Sequence, residues 1–491
     1  MSNRDVPCDR AEATAVRRLN SSDALMLRLD RGNAYNHTLK IAILDPSTDP
    51  QGWSRPRMQQ AMRERIHLLP VFRQRYLPTP LGLHQPIWVD DPEFDLDAHV
   101  RYVACPAPGG MREFCALVEQ VYANPLDRRR PLWQLWIVEG LEGDRVALVT
   151  LFHHAYTDGI GAIGMMQNVF SEAPEDTSCG SEVWEPGPVP SPSRRLGWAL
   201  GDLPALLRQV PITARALRER VRIEREIASA RPGLSPSSTD HSAAGPFQCG
   251  LSRNRRFACE TFSMQELREI SAAFGVTIND VFLSCAAGSV RRLLTDAGSA
   301  PDVPMVGSMP LSLKPLAERP SPGNYTSMDY VWLHTEIADP VERLRASSAS
   351  AKATKEHFAA TKDADLSKII EIIPGALVSA LVWANEKTNG RYSPFKNIGV
   401  SNVPGPSRPL YLGQWKLDRW FSTGQVAYGA ALNFTVWSYG DQFNLGAMAD
   451  AEAVPDAWPL IAGFRASLDE LLETAGTSPS PNHSPAPSTS S

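Results

Sequence analysis

Two proline- and serine-rich breaks divide this chain and limit what it can fold into. EPGPVPSPSRR covers residues 185–195, and RPGLSPSSTDHSAAGP covers 231–246. Proline lacks a backbone donor and serine competes for backbone hydrogen bonds, so neither stretch continues a regular element. At 491 residues the chain also exceeds what one core ordinarily serves. The expected layout is an N-terminal subdomain at 1–190, a crossover linker at 191–256 and a C-terminal subdomain at 257–475. The low-complexity end, TSPSPNHSPAPSTSS, predicts a disordered tail over 476–491.

Both outer parts mix strand and helix patterns, which predicts an α/β (α+β) fold. RVALVTLF (145–152) is short, apolar and bounded by turn residues, so it reads as a buried strand. A helix should follow over Gly159–Phe170, although Gly159, Gly161 and Gly164 each weaken it by about 1 kcal/mol against alanine. Glycine is placed there for a close approach of backbone to a ligand or another segment. Further on, a second helix is expected with a cap near Asn279, and ALNFTVWSYGDQFNLGAMAD (430–449) reads as a hairpin turning at 439–441. Residues 196–230 read as helix interrupted at Pro204 and Pro211.

Between strand and helix lies HHAYTDG, which sets His153, His154 and Asp158 at one junction. Three readings fit these residue types. One is a core histidine at a strand end; another is a metal site using His154 and Asp158 at i,i+4. The third, which we favour, makes His154 a general base for an alcohol, because a neutral imidazole can accept a hydroxyl proton as attack proceeds. Asp158 would then hold the loop in shape. The other eight histidines are isolated in sequence, so no metal is expected.

Composition narrows the partners. A net charge of −5 excludes an ordinary nucleic-acid binder. Seven scattered cysteines without a CxxC pair point to reduced thiols and a cytoplasmic setting. The first 20 residues lack the apolar core of a signal peptide, and the longest apolar run, GALVSALVWA at 375–384, is half a membrane span. Residues 194–231 nevertheless hold nine arginines against four acids, interleaved with leucine and tryptophan. That stretch is either a solvated crossover helix or a peripheral contact with a membrane or lipid droplet.

HHAYTDG matches the HHxxxDG motif of the chloramphenicol acetyltransferase-like acyltransferases. With LNSSDALMLRLD, FDLDAHVR, NPLDRRRPLWQLWIVEGL, TINDVFLS, SNVPGPSRPLYLGQ and LNFTVWSYGDQFNLG in order, the chain resembles the bacterial wax ester synthase/diacylglycerol acyltransferase family from about Leu19 to Leu472. A DFGWG motif of sister families is absent, against a condensation domain. The resemblance implies two similar subdomains with an active-site tunnel between them. It makes His154 the base, His153 its support and Asp158 structural, followed by Gly159. It carries an Asn-Asp motif onto Asn279, the candidate oxyanion donor, and Asp280. Pro131, Leu132 and Trp133, and Ser401, Asn402, Pro404 and Gly405, become candidate substrate contacts, against bland readings as core packing and a turn. It implies acyl-CoA as co-substrate, diacylglycerol or a long-chain alcohol as acceptor, and no bound cofactor. Gln134 and the bulkier Tyr156 and Thr157 depart from the family pattern.

Overall fold

The computed structural model describes residues 16–174, 184–230, 245–319, 322–362, 371–373, 375–391, 393 and 396–476. The expected tail after 476, most of the 231–246 loop, the start of the chain, Cys8 and Cys179 lie outside these residues. In chain order the first part contains β1 (Val16–Arg18), α1 (Ser21–Leu29), β2 (His37–Asp45), α2 (Arg55–Arg65), β3 (Gln74–Leu77), β4 (Ile87–Asp90), β5 (Val100–Ala104), α3 (Met111–Tyr122), β6 (Trp133–Leu141), β7 (Arg145–His153) and α4 (Gly159–Gln167). The long helix α5 (Pro192–Ala230) follows. The second part contains β8 (Arg255–Ser263), α6 (Met264–Phe274), α7 (Ile278–Asp296), β9 (Met305–Ser312), β10 (Thr326–Leu333), α8 (Pro340–Thr361), β11 (Ile398–Val403), β12 (Tyr411–Leu412), β13 (Trp415–Thr423), β14 (Leu432–Tyr439) and β15 (Gln442–Asp450). Two more helices, Gly375–Lys387 and Trp458–Ala475, flank that second group of strands.

Two six-stranded mixed sheets result, ordered β12-β13-β2-β7-β6-β5 and β10-β9-β11-β14-β15-β8, beside a three-stranded sheet β1-β4-β3. The α/β reading therefore holds. A cut at residue 257 does not separate the sheets, because β12 and β13 from the far part of the chain complete the first one. β13 pairs antiparallel with β2 from Lys416–Asp45 to Thr423–Leu39. A sheet edge of unpaired backbone groups attracts a further strand, and here the late strand covers it.

Strand alternation explains how the first sheet serves two cores. Leu39, Ile41 and Ile43 of β2, with Ala147, Val149 and Leu151 of β7, join the core under α3. Ala42 and Leu44, with Val146, Leu148 and Phe152, face the opposite way and pack toward α4, Trp420 and Trp437. β7 is buried along nearly its whole length, as its uninterrupted apolar run requires. The hairpin forms as expected, with Tyr439 opposite Gln442.

Helix limits depart from the sequence reading in four places, the first being that α5 starts at Pro192, inside the first proline-serine break, rather than at 196. α4 ends at Gln167 rather than Phe170. α7 is capped by Thr277, whose side chain accepts from Asp280 N while Asp280 returns a bond to Thr277 N; Asn279 is not the cap. α5 runs through Pro204 and Pro211 without a break. Each proline forfeits one i→i−4 bond, and both are exposed, so the freed carbonyls of Leu200 and Leu207 can turn to solvent.

Candidate active site

β7 delivers the histidine pair, and its two members meet different surroundings. His153 is the last strand residue, pairs with His37 across β2 and is buried. Its Nδ1 accepts from Ala155 N at 3.0 Å, so its proton sits on Nε2, which faces Asp30 Oδ2 at a long 3.6 Å. Asp30 is also held by Arg128 at 2.9 Å, and these partners keep its carboxyl down near 2 although burial opposes this. His153 is thereby committed to the core.

His154 leaves the strand. Its N–H donates to Asn36 O, and its Nδ1 lies 3.0 Å from Asn324 Oδ1. The Asn324 amide nitrogen donates to His154 O at 2.7 Å and to Asp23 Oδ1 at 2.8 Å. The carbonyl can only accept, so the amide orientation is determined and Asn324 Oδ1 must face a donor. The His154 proton is therefore on Nδ1, and Nε2 keeps a free lone pair. Burial, and then the charge of Lys40, lower the ring to about 4. At neutral pH it is an unprotonated base.

Sequence reasoning did not find Asn324. Its only local signal was a glycine before it. Gly323 has φ +149°, and a Cβ there would lie 2.9 Å from both Asn20 Nδ2 and Asp23 Oδ2. No side chain fits that approach, which lets the backbone carry Asn324 to Asp23 and His154.

Asp158 is buried and caps α4, with Oδ1 accepting from Gly161 N at 2.9 Å. The same oxygen takes Arg319 Nη1 at 2.8 Å, and Oδ2 takes Tyr325 N at 2.8 Å. Asp158 thus ties the start of α4 to the segment presenting Asn324. His154 precedes α4 and shares no helix turn with Asp158, so the i,i+4 metal geometry is not formed. Among the described residues no group of three His, Cys, Asp or Glu converges.

The glycines after Asp158 serve close contacts. A Cβ on Gly161 would meet Thr157 Oγ1 at 1.9 Å, and one on Gly159 would meet Val403 at 3.1 Å. Val403 ends β11, so the Ser401–Gly405 segment is brought against the histidine junction. Gly405 N donates to Ser438 Oγ at 3.0 Å; Ser401 and Asn402 are half-buried, and Pro404 is exposed. Thr157 and Tyr156 are structural here: the Tyr156 hydroxyl accepts from Leu132 N and donates to Gln74 O.

Pro131, Leu132 and Trp133 are buried at the start of β6. Trp133 stacks on Phe72 and His99 and donates Nε1 to Phe72 O. It also lines a narrow apolar cleft of about 40 Å³ with Ala42, Leu135, Leu148, Thr150 and Met166. Asn279 lies in the first turn of α7 and is not bonded into the His154 network, while Asp280 is spent on Thr277 N and Ser348 Oγ. A second, wider cavity is rimmed by Glu386, Lys387, Asn389 and Glu452 and contains none of these site residues.

Comparison with known proteins adds lineage to this geometry. Residues 19–282 match the model of the wax ester synthase/diacylglycerol acyltransferase catalytic domain, and 322–472 match the C-terminal domain of the same family. A Mycobacterium tuberculosis (strain H37Rv) protein carrying the name diacylglycerol O-acyltransferase is 62% identical over 467 residues, which is 95% of this chain and 99% of that protein. The solved wax ester synthase/diacylglycerol acyltransferase from Marinobacter aquaeolei VT8 superposes with a TM-score of 0.65 at 26% identity, covering 94% of this chain and all of that one. Trichothecene 15-O-acetyltransferase from Fusarium sporotrichioides shares the fold alone: TM-score 0.60, 12% identity, 96% and 100% covered.

Proposed function

The chain belongs to the wax ester synthase/diacylglycerol acyltransferase family, and from that premise we propose that it moves an acyl group from acyl-CoA to diacylglycerol or a long-chain alcohol. The products are triacylglycerol and wax ester. One observation carries this reading: Asn324 holds the His154 proton on Nδ1, so that Nε2 is free to act as a base.

In the proposed mechanism His154 Nε2 takes the proton of the acceptor hydroxyl as its oxygen attacks the thioester carbonyl. A tetrahedral oxyanion forms, and preorganised donors to such a centre contribute about 3–4 kcal/mol each. Asn279, whose amide is uncommitted among the described residues, is the proposed donor. Collapse breaks the carbon–sulfur bond, and the imidazolium returns its proton to the CoA thiolate. No protein group becomes acylated, and no metal or cofactor takes part. The Trp133 cleft has the apolar lining an acyl chain needs, and its side chains would have to part to admit one.

Both acceptors partition into lipid, and the surface offers a device for reaching it. Leu200, Leu203, Leu207, Val210 and Leu217 form an exposed stripe on α5. Arg218 and Arg225 follow Leu200 and Leu207 by 18 residues, five helical turns, and so continue the same face. Next to α5, Leu81 is 83% exposed on a turn held at φ +57°, and Leu377, Leu381 and Trp383 are exposed nearby. We assign this face to an anionic lipid surface, the inner face of the cell membrane or a lipid droplet. No single described helix is long and apolar enough to cross a membrane.

Incubating the purified chain with radiolabelled acyl-CoA and a panel of diacylglycerols and alcohols tests the reading. Labelled neutral lipid together with stoichiometric free CoA is expected. CoA release without an acylated acceptor would reduce the protein to a thioesterase.

A further inference from the structure

The face of the first sheet that leads to His154 carries one charged side chain that the proposed reaction leaves unused. Lys40 lies in the middle of β2 and is 4% exposed. Its Nζ donates to Thr38 Oγ1 at 2.8 Å and to Ser422 Oγ at 2.7 Å. It also sits 4.6 Å from the Trp437 ring centre and 5.6 Å from that of Phe152. No carboxylate pairs with it among the described residues. Burying an ammonium without a counter-charge is strongly unfavourable, and a methionine would fill the same space without that penalty. Burial accordingly draws its pKa down to about 7. Packing alone does not account for a lysine here.

More polar atoms on the strands bordering Lys40 lack partners. Trp420 Nε1 on β13 and Trp437 Nε1 on β14 are buried without a hydrogen bond. The position of Lys40 along the sheet is equally specific. It is opposite Thr150, which lines the apolar cleft, and its Nζ reaches Thr38, which is opposite Phe152. Phe152 precedes His154 by two residues, about 7 Å along a strand. The Lys40 cluster therefore lies beside the cleft, at its end nearer the base.

We infer that Lys40, with Thr38 and Ser422, forms the polar part of the acceptor subsite and selects an oxygen-rich neutral acceptor, a glyceride, over a straight-chain alkanol. The inference rests on the acyl-transfer reading above. A glyceride carries ester carbonyl oxygens a few bonds from its free hydroxyl; these accept from the remaining Lys40 N–H and the Ser422 hydroxyl, while Thr38, whose hydroxyl donates to Thr423 O, anchors the lysine. An alkanol brings only methylenes to the same place and leaves the donors unpaired. A site built to hydrogen-bond a substrate rejects an analogue lacking the partner far more strongly than an apolar pocket rejects a missing methylene.

The experiment compares kcat/KM for dioleoylglycerol and for hexadecanol, with oleoyl-CoA as donor, in the full-length wild type and in Lys40→Met. The glyceride-to-alkanol ratio should fall at least about tenfold in the variant, with the loss carried mainly by the glyceride KM. Ser422→Ala, which removes one anchor of Lys40, should move the ratio the same way by a smaller factor, and it decides the matter if Lys40→Met does not fold. An unmoved ratio in an active, folded variant overturns the inference and leaves the acyl-transfer reading standing. A wild type that releases no CoA with either acceptor overturns that reading, and the inference with it.

Discussion

The two faces of the first sheet at the end of β7 hold similar residues in opposite states. On the α3 side, the His153 ring accepts from Ala155 N and faces Asp30, which Arg128 holds, while the Nε2 atoms of His153 and His37 are buried without a hydrogen bond. On the other side, His154 keeps an open nitrogen and Lys40 has no counter-charge, with the unpaired indole nitrogens of Trp420 and Trp437 close by. A buried polar group left unpaired costs about 1–3 kcal/mol, more if charged. That cost falls on both faces, but the Lys40 face alone adds an ammonium without a counter-charge. Adjacent histidines of one motif can thus differ completely in role, because β7 ends between them: His153 stays in the sheet and His154 turns out of it.

The sharpest way to break this contrast is to delete each histidine. His154→Ala should lower kcat/KM at least about 100-fold with the fold intact, as loss of a general base does. His153→Ala should chiefly lower thermal stability and act mildly on turnover of the folded fraction. Equal catalytic losses in two well-folded variants would erase the distinction.

Asp158→Asn comes next, and its effect is on stability. It leaves the Arg319 guanidinium buried without its partner, so an unfolding free energy lower by about 3–5 kcal/mol is expected in denaturant titration, with activity falling alongside. A stable but inactive Asp158→Asn protein would move Asp158 onto the reacting side.

Asn324→Ala should reduce kcat/KM by about tenfold, since the imidazole loses what holds its proton on Nδ1. The pH profile checks the same face in the wild type. His154 is depressed to about 4, so its basic form persists as pH falls below the ordinary histidine range. Activity should stay level from pH 7 to about 5 and be lost through about 4. A fall centred near 6.5 would indicate a solvated imidazole and a more open face than the one described.

The smallest effect belongs to α5. Arg208, Arg215, Arg218 and Arg225 are exposed and carry no salt bridge among the described residues, unlike Arg220 and Arg222. Replacing these four with glutamine should weaken sedimentation with anionic liposomes at low salt, by about 1 kcal/mol per arginine, and little at high salt. Binding indifferent to salt and to substitution would leave α5 an ordinary solvated crossover.

By itself the sequence determined the elements that depend on local pattern and the residues that carry a motif. The apolar run of β7, the 430–449 hairpin, the α/β class and the family all follow from period, turn chemistry and ordered motifs that neighbouring residues encode. Only the tertiary structure decided what depends on segments distant in the chain. It decided that β13 closes the first sheet beside β2, and that the two prolines sit inside α5 where solvent meets their carbonyls. The Thr277 cap of α7, by contrast, is a local capping box, a hydroxyl three residues before an aspartate, and was legible in the sequence. The proton position on His154 was illegible for a stricter reason. It depends on an amide 170 residues away, oriented in turn by Asp23. Lys40 was equally hidden: in the sequence it is one cation in a strand, and burial beside Ser422 and Trp437, which converts it from an ordinary surface charge into a selective group, exists only once the chain is folded.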